Sequence, residues 1–121
     1  MIDRLRPIFL VALGGAFGAV ARYGVATAFA RRIGTEWPWG TLFINLTGSF
    51  LIAVLAARLS SDNLRFLLPV GFVGAYTTFS TYEYETLRMM QDGEPVPALL
   101  YVAMSNLLGF AAVFLGDRVA R

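Results

Sequence analysis

The sequence predicts an all-α membrane protein, one domain over residues 1–121, with four transmembrane helices of which the third is broken at mid-membrane. Three observations carry that expectation. The chain is 57% hydrophobic and 15% charged, where soluble domains average about 25% charged residues, and its mean hydropathy is +0.63. Its apolar residues fall into segments at about 8–29, 40–57, 65–87 and 98–115, separated by short arginine-bearing connections; each approaches the ~20 residues that cross a bilayer. The third segment contains GFVGAYTTFSTYEYE, Gly71–Glu85, whose glycines carry helix penalties and whose hydroxyls compete for backbone hydrogen bonds.

Composition also excludes functions. With neither cysteine nor histidine in the chain, zinc sites of the usual type, thiol nucleophiles and imidazole acid–base chemistry are ruled out. The carboxylates fall in loops or near the interfaces, so no enzyme is expected. All ten basic residues are arginines, spread over loops and ends; they make no nucleic-acid surface.

The first span follows Arg4 and Arg6. Ala26-Thr27-Ala28 resembles a signal-peptide cleavage site, but the apolar stretch is long, contains Arg22 and precedes three more spans, so a membrane helix is expected. Gly14 and Gly18 form a small-residue face on which another helix can pack closely. Arg22 continues that face at a spacing of four; a charge inside a span marks an anion entrance or snorkels to the interface. Trp37 and Trp39, in and just after the first loop, suit the bilayer interface. In the second span Thr41, Asn45 and Gly48 form one polar stripe at i, i+4, i+7. Asn45 either joins two helices or offers amide donors to a ligand.

The third span begins near Arg65. Backbone that leaves the helical ladder in a bilayer costs several kcal/mol per orphaned group. It persists where protein, water or an ion satisfies it, so the break is either a packed kink or an ion site. Past it, Phe79 and Tyr82 share a face. Glu83 and Glu85 are expected near the far interface. In the fourth span Tyr101, Ser105 and Gly109 form a second polar stripe, with Asn106 beside it. Two polar stripes and a broken helix argue for a polar pathway.

Short connections make consecutive spans antiparallel and put both termini on one side. That side collects Arg4, Arg6, Arg58, Arg65, Arg118 and Arg121, against Arg31, Arg32 and Arg88 on the other. The positive-inside bias is weak enough for insertion both ways.

The segments GGAFGAVARY (Gly14–Tyr23), WPWGTLFINLTGSF (Trp37–Phe50), GFVGAYTTFSTYEYET (Gly71–Thr86) and YVAMSNLLG (Tyr101–Gly109), in this order, resemble the Fluc (CrcB) family of small fluoride channels over nearly the whole chain. The resemblance implies an antiparallel homodimer in the inner (plasma) membrane of a prokaryote. It implies passive export of fluoride through two pores, with a structural sodium ion at the dimer centre. Gly74 and Thr77 would supply carbonyls to the sodium. Phe79 and Tyr82 would occupy the positions of two pore phenylalanines and Asn45 that of a pore asparagine. Tyr101 and Ser105 would form the polar track, Thr41 would join the ion pathway, and Arg22 matches the first-span arginine. Tyr82 departs from the usual second phenylalanine, Ala75 from the commoner glycine, and Gly109 from a hydroxyl found in some members.

The residues suit that chemistry. Fluoride is tightly hydrated, so a narrow pore must replace water with donors: the Asn45 amide, the Ser105 hydroxyl and the Tyr82 hydroxyl. The positive edge of an aromatic ring meets an anion without trapping it. A small multidrug exporter has a similar shape but needs a carboxylate in its first span, where this chain has Arg22. A non-transporting assembly subunit would explain the glycine faces but not the polar stripes.

Overall fold

The computed structural model describes residues 1–121 and contains helices only. Helix α1 spans Ile2–Arg32 and α2 spans Trp39–Arg58. The third segment is composite. A short α3 (Asp62–Arg65) leads into a π-helical stretch (Phe66–Val73), a single turn α4 (Gly74–Tyr76) and, after an interruption, α5 (Phe79–Gln91). Helix α6 (Pro95–Ala120) closes the chain. Three helices, α1, α2 and α6, are long and apolar enough to cross a membrane; the remaining apolar segment is the broken one.

The long helices outrun the apolar segments that predict them: α1 starts at Ile2, not Ile8, and α6 runs to Ala120. Helical hydrogen bonding continues past the apolar boundary because nothing in the flanking residues competes with it. One side chain ties the ends of two of these helices together. Arg58 in the last turn of α2 donates from Nε to the Ala120 carbonyl of α6, placing a guanidinium beside the C-terminal carbonyls of both helices, which the helix dipole favours. That contact puts the C-termini of α2 and α6 at the same end of the molecule.

Helix α1 pairs in parallel with the third segment. Gly14 of α1 lies against the Leu67 carbonyl, Gly18 against Phe72, and Arg22 against Ala75, so α1 runs alongside the third segment in the same direction. A Cβ built on Gly14 or Gly18 would stand 2.0 or 2.2 Å from those carbonyl oxygens. The small-residue face is therefore a seam where two backbones touch. Only 15 of the 121 residues are buried. Large apolar side chains such as Phe17, Leu107 and Phe114 point outward, 64, 71 and 74% exposed, as a lipid-facing surface requires.

The π-helical stretch was not anticipated by the sequence. Pro69 lies inside it and has no N–H to donate, so the ladder is lost locally and the turn widens. The Gly74 N–H reaches back five residues to the Pro69 carbonyl.

The break falls at the centre of the Gly71–Glu85 stretch, at its threonines rather than its glycines. Gly74 is in a helical turn (φ −58°, ψ −37°); the chain turns extended at Thr77 (ψ 157°) and Thr78 (φ −148°, ψ 116°). A glycine costs only about 1 kcal/mol in a helix and does not end one by itself. The hydroxyls serve the interruption: Thr77 Oγ1 joins the Thr77 N–H on the Val73 carbonyl, and Thr78 Oγ1 accepts from the Thr81 N–H as the cap of α5.

The α1 seam yields a direct test. Gly18→Val should cost about 1–3 kcal/mol through backbone displacement, read as a lower melting temperature and loss of monodispersity in detergent. Gly24, with no atom within 4 Å of a built Cβ, is the control. Equal melting of Gly18→Val and Gly24→Val would show that the close approach is dispensable.

Candidate functional site

The break creates a cleft. Thr77, Thr78 and Phe79 form one wall, Asn45, Gly48, Ser49 and Ile52 of α2 another, and Ser105 and Asn106 of α6 a third, with Val73 and Tyr82 completing a space of about 350 Å³. A Cβ on Gly48 would stand 2.1 Å from Thr77 Cγ2, so the glycine of the α2 stripe makes room for the extended residues. Every lining side chain is neutral.

Asn45 sustains this geometry. Its Nδ2 donates to the Thr78 carbonyl at 3.0 Å, and its Oδ1 accepts the Thr78 N–H at 2.8 Å. The amide thus replaces both helical bonds that Thr78 has given up. Because Nδ2 carries two hydrogens, one donor remains beyond the clamp. Both sequence alternatives for Asn45, helix joining and donor presentation, are thus chemically open to one side chain. Tyr76 is fastened nearby: the Thr47 hydroxyl donates to the Phe43 carbonyl, so the Tyr76 hydroxyl is the donor across the 2.9 Å contact with Thr47 Oγ1.

Five of the site residues expected from the sequence, Asn45, Thr77, Phe79, Tyr82 and Ser105, meet in this cleft. The Ser105 Oγ is buried and has no hydrogen-bond partner in the chain. Phe79 is 70% exposed, its ring tilted against Tyr82 at 5.8 Å. Tyr82 stands edge-on to Tyr101 at 5.2 Å, and Tyr101 stands edge-on to Trp37 at the same spacing. The rings form a continuous series leading away from the cleft.

Tyr101 and Thr41 lie at the far end of that series. Tyr101 is fully buried and donates from its hydroxyl to Glu85 Oε1 at 3.1 Å. Thr41 and Glu85 line a second, smaller pocket of about 100 Å³ together with Trp37 and Trp39. Glu85 was expected only near an interface. Its place three residues after Tyr82, on the same face of α5, was the signal that tied it to the polar stripe. Thr78 and Asn106, neither singled out as site residues from the sequence, also line the cleft.

Arg22 stays apart from the cleft. Its Nε donates to the Ala75 carbonyl at 3.1 Å, on the α1 side of the broken segment. Gly74 and Thr77 differ from Ala75. The N–H groups four residues ahead of them, which would close helical bonds onto their carbonyls, go to Asn45 Oδ1 and Thr78 Oγ1. No group of three or more acidic, histidine or cysteine side chains gathers anywhere in the chain, so a cation here would rest on backbone oxygens.

Helices that are apolar on the outside, a broken span and a neutral cleft lined by polar side chains define the class: a small multi-pass membrane protein with a polar cleft between its helices. Within that class the chain belongs to the CrcB family, whose profile, described as CrcB-like protein, Camphor Resistance (CrcB), matches residues 9–117. It is 53% identical over 111 residues to the fluoride-specific ion channel FluC of Acidobacterium capsulatum, covering 88% of this chain and 89% of that one. It is 48% identical over 115 residues to FluC of Thermus thermophilus, covering 91% of both. To FluC of Hyphomonas neptunium it is 42% identical over 123 residues, covering 97% of both.

Asn45→Ala removes both bonds to Thr78. Leaving those groups unpaired should lower stability by about 1–3 kcal/mol and accelerate hydrogen exchange at the Thr78 amide. A variant with unchanged melting and exchange would mean that the break holds without the amide.

Proposed function

We propose that this protein is a fluoride-selective channel that lets fluoride leave the cell down its gradient across the inner (plasma) membrane. The observation that carries the proposal is the cleft itself: a neutral chamber holding an unpartnered, buried Ser105 hydroxyl beside Asn45, Phe79 and Tyr82. Relatives named fluoride-specific ion channels, matched over nearly their whole length, supply the ion.

The chemistry follows from hydration. Fluoride gives up water only if donors replace it, and a buried unpaired hydroxyl is a donor already stripped of solvent, with no desolvation left to undergo. The remaining N–H of Asn45 and the edge of Phe79 add weaker positive sites. No single contact is strong enough to hold the ion, which conduction requires. No carboxylate lines the cleft, which disfavours cationic cargo.

The working unit is an antiparallel homodimer with two pores. Phe79, largely exposed in one chain, would be enclosed by the second copy. Gly74 has no atom of its own chain closer than 3.8 Å to a built Cβ, which leaves its surface open to that copy. A structural sodium ion fits the carbonyls of Gly74 and Thr77, whose helical donors are taken elsewhere. When bound it would supply a fixed positive charge, worth roughly 1.7 kcal/mol of attraction to an anion at ~10 Å and an effective dielectric of about 20. Arg22, bonded to the intervening carbonyl, keeps that carbonyl turned towards α1.

The function is tested by fluoride efflux from liposomes containing the purified protein. Efflux should be rapid, chloride efflux absent, and the reversal potential under opposed sodium gradients should follow fluoride alone. Phe79→Ile should slow fluoride by roughly tenfold, about 1.4 kcal/mol. No fluoride flux from the native protein would overturn the channel; a potential that tracks sodium would overturn the structural role of the cation.

Dual insertion is tested separately. The chain has no cysteine, so a single cysteine introduced at either terminus should label from both faces of the membrane. Labelling from one face only would rule out the antiparallel dimer.

A further inference from the structure

Tyr82 and Asn106 form a wall between two clefts. Both, with Phe79, line the 350 Å³ chamber described above and a neighbouring space of about 340 Å³ that also takes in Glu83, Thr86 and Val102. The two sides differ in charge. The first has no charged side chain, and the second carries the carboxylate of Glu83.

The wall is closed by a hydrogen bond whose direction is determined. Asn106 Nδ2 donates to the Val102 carbonyl at 2.8 Å and to the Tyr82 hydroxyl at 3.2 Å. The reversed amide would set Oδ1 against the Val102 carbonyl oxygen, two acceptors facing each other. Nitrogen therefore occupies that position and uses one hydrogen for each contact. Tyr82 must accept from Asn106, so its own O–H points away from the amide. It makes no other hydrogen bond in the chain: the main-chain carbonyl of the residue, not the phenol, receives Thr86 Oγ1. A phenolic donor is left oriented and unused at the boundary between the neutral and acidic clefts.

We infer that Asn106 is a positioning residue that turns the Tyr82 hydroxyl into a hydrogen-bond donor for the anion at this boundary, and that the pair sets the affinity of the pathway for fluoride. The inference rests on the fluoride-channel reading. A phenylalanine at this position would offer only the weak positive edge of its ring. The hydroxyl offers a true donor where Glu83 begins to repel the ion. Freed from Asn106, the phenol O–H is no longer fixed in direction and turns to other acceptors, and the anion loses it.

A double-mutant cycle on liposome fluoride flux tests this, with half-saturating fluoride and maximal rate measured separately. Tyr82→Phe should raise half-saturating fluoride about tenfold, the equivalent of ~1.4 kcal/mol. Asn106→Leu, of similar volume, should raise it about three- to tenfold, in line with a lost positioning bond. The double variant should be no worse than Tyr82→Phe alone, since Asn106 then has no hydroxyl to turn. Asn106→Ser, too short to reach the phenol, repeats the measurement should the leucine variant not assemble. Effects that multiply in the double variant, or a half-saturation unmoved by either substitution, would overturn the positioning role while native flux stands. Absence of fluoride flux in the native protein would overturn the channel reading and this inference together.

Discussion

Backbone groups inside a bilayer must be satisfied by the protein, and the structure depends on how that is done at Thr77 and Thr78. The backbone turns extended at these two residues; the Thr77 N–H keeps its bond to Val73, but each group orphaned beyond it would cost several kcal/mol. The amide of Asn45 takes both polar groups of Thr78, and hydroxyls of the two threonines bond to Val73 and Thr81. The rest follows from this arrangement. Helix α2 must lie close enough for an asparagine to reach the break, so Gly48 faces Thr77. The cleft is the space that the missing turn leaves behind.

The same accounting separates structural from available polar groups. Groups already bonded inside the chain hold the scaffold: Tyr76 to Thr47, Tyr101 to Glu85, Arg22 to Ala75. Those left over, the Ser105 hydroxyl and the outward donor of Tyr82, are the ones with capacity for an ion. Gly74 and Thr77 belong to this second group as acceptors, because their usual donors are engaged by Asn45 and Thr78.

Much of the site was legible in the residues, with limits that have physical causes. The stripes Thr41–Asn45–Gly48 and Tyr101–Ser105–Gly109 stand out because polar side chains are rare in apolar helices; the first faces the interior along its length, and the second does so at Tyr101 and Ser105, while Gly109 opens onto free space. Whether Asn45 bonds a neighbouring helix or a ligand was undecidable from spacing, because an amide serves both. Glu85 was read as interfacial, since a carboxylate late in a span ordinarily reaches water; its bond to a fully buried tyrosine depends on a helix distant in sequence. The break lies inside the stretch that marked it, but spacing did not single out Thr77 and Thr78, since glycine lowers helix propensity only locally and packing against α1 holds Gly71 in its helical turn.

By itself the sequence determined that the protein lives in a membrane, how many apolar segments it has, and which of them is interrupted. Those properties are set by local composition: the free energy of placing each side chain in lipid, and the competition of nearby hydroxyls with the helix. Only the tertiary structure decided that α1 runs parallel to the third segment, that a π-helical stretch surrounds Pro69, and that Asn45, Asn106 and Glu85 pair with Thr78, Tyr82 and Tyr101. A helix that is apolar on nearly every side does not announce its packing face through periodicity. The partner of a buried polar group is chosen by three-dimensional proximity, which the spacing of residues along one helix does not contain.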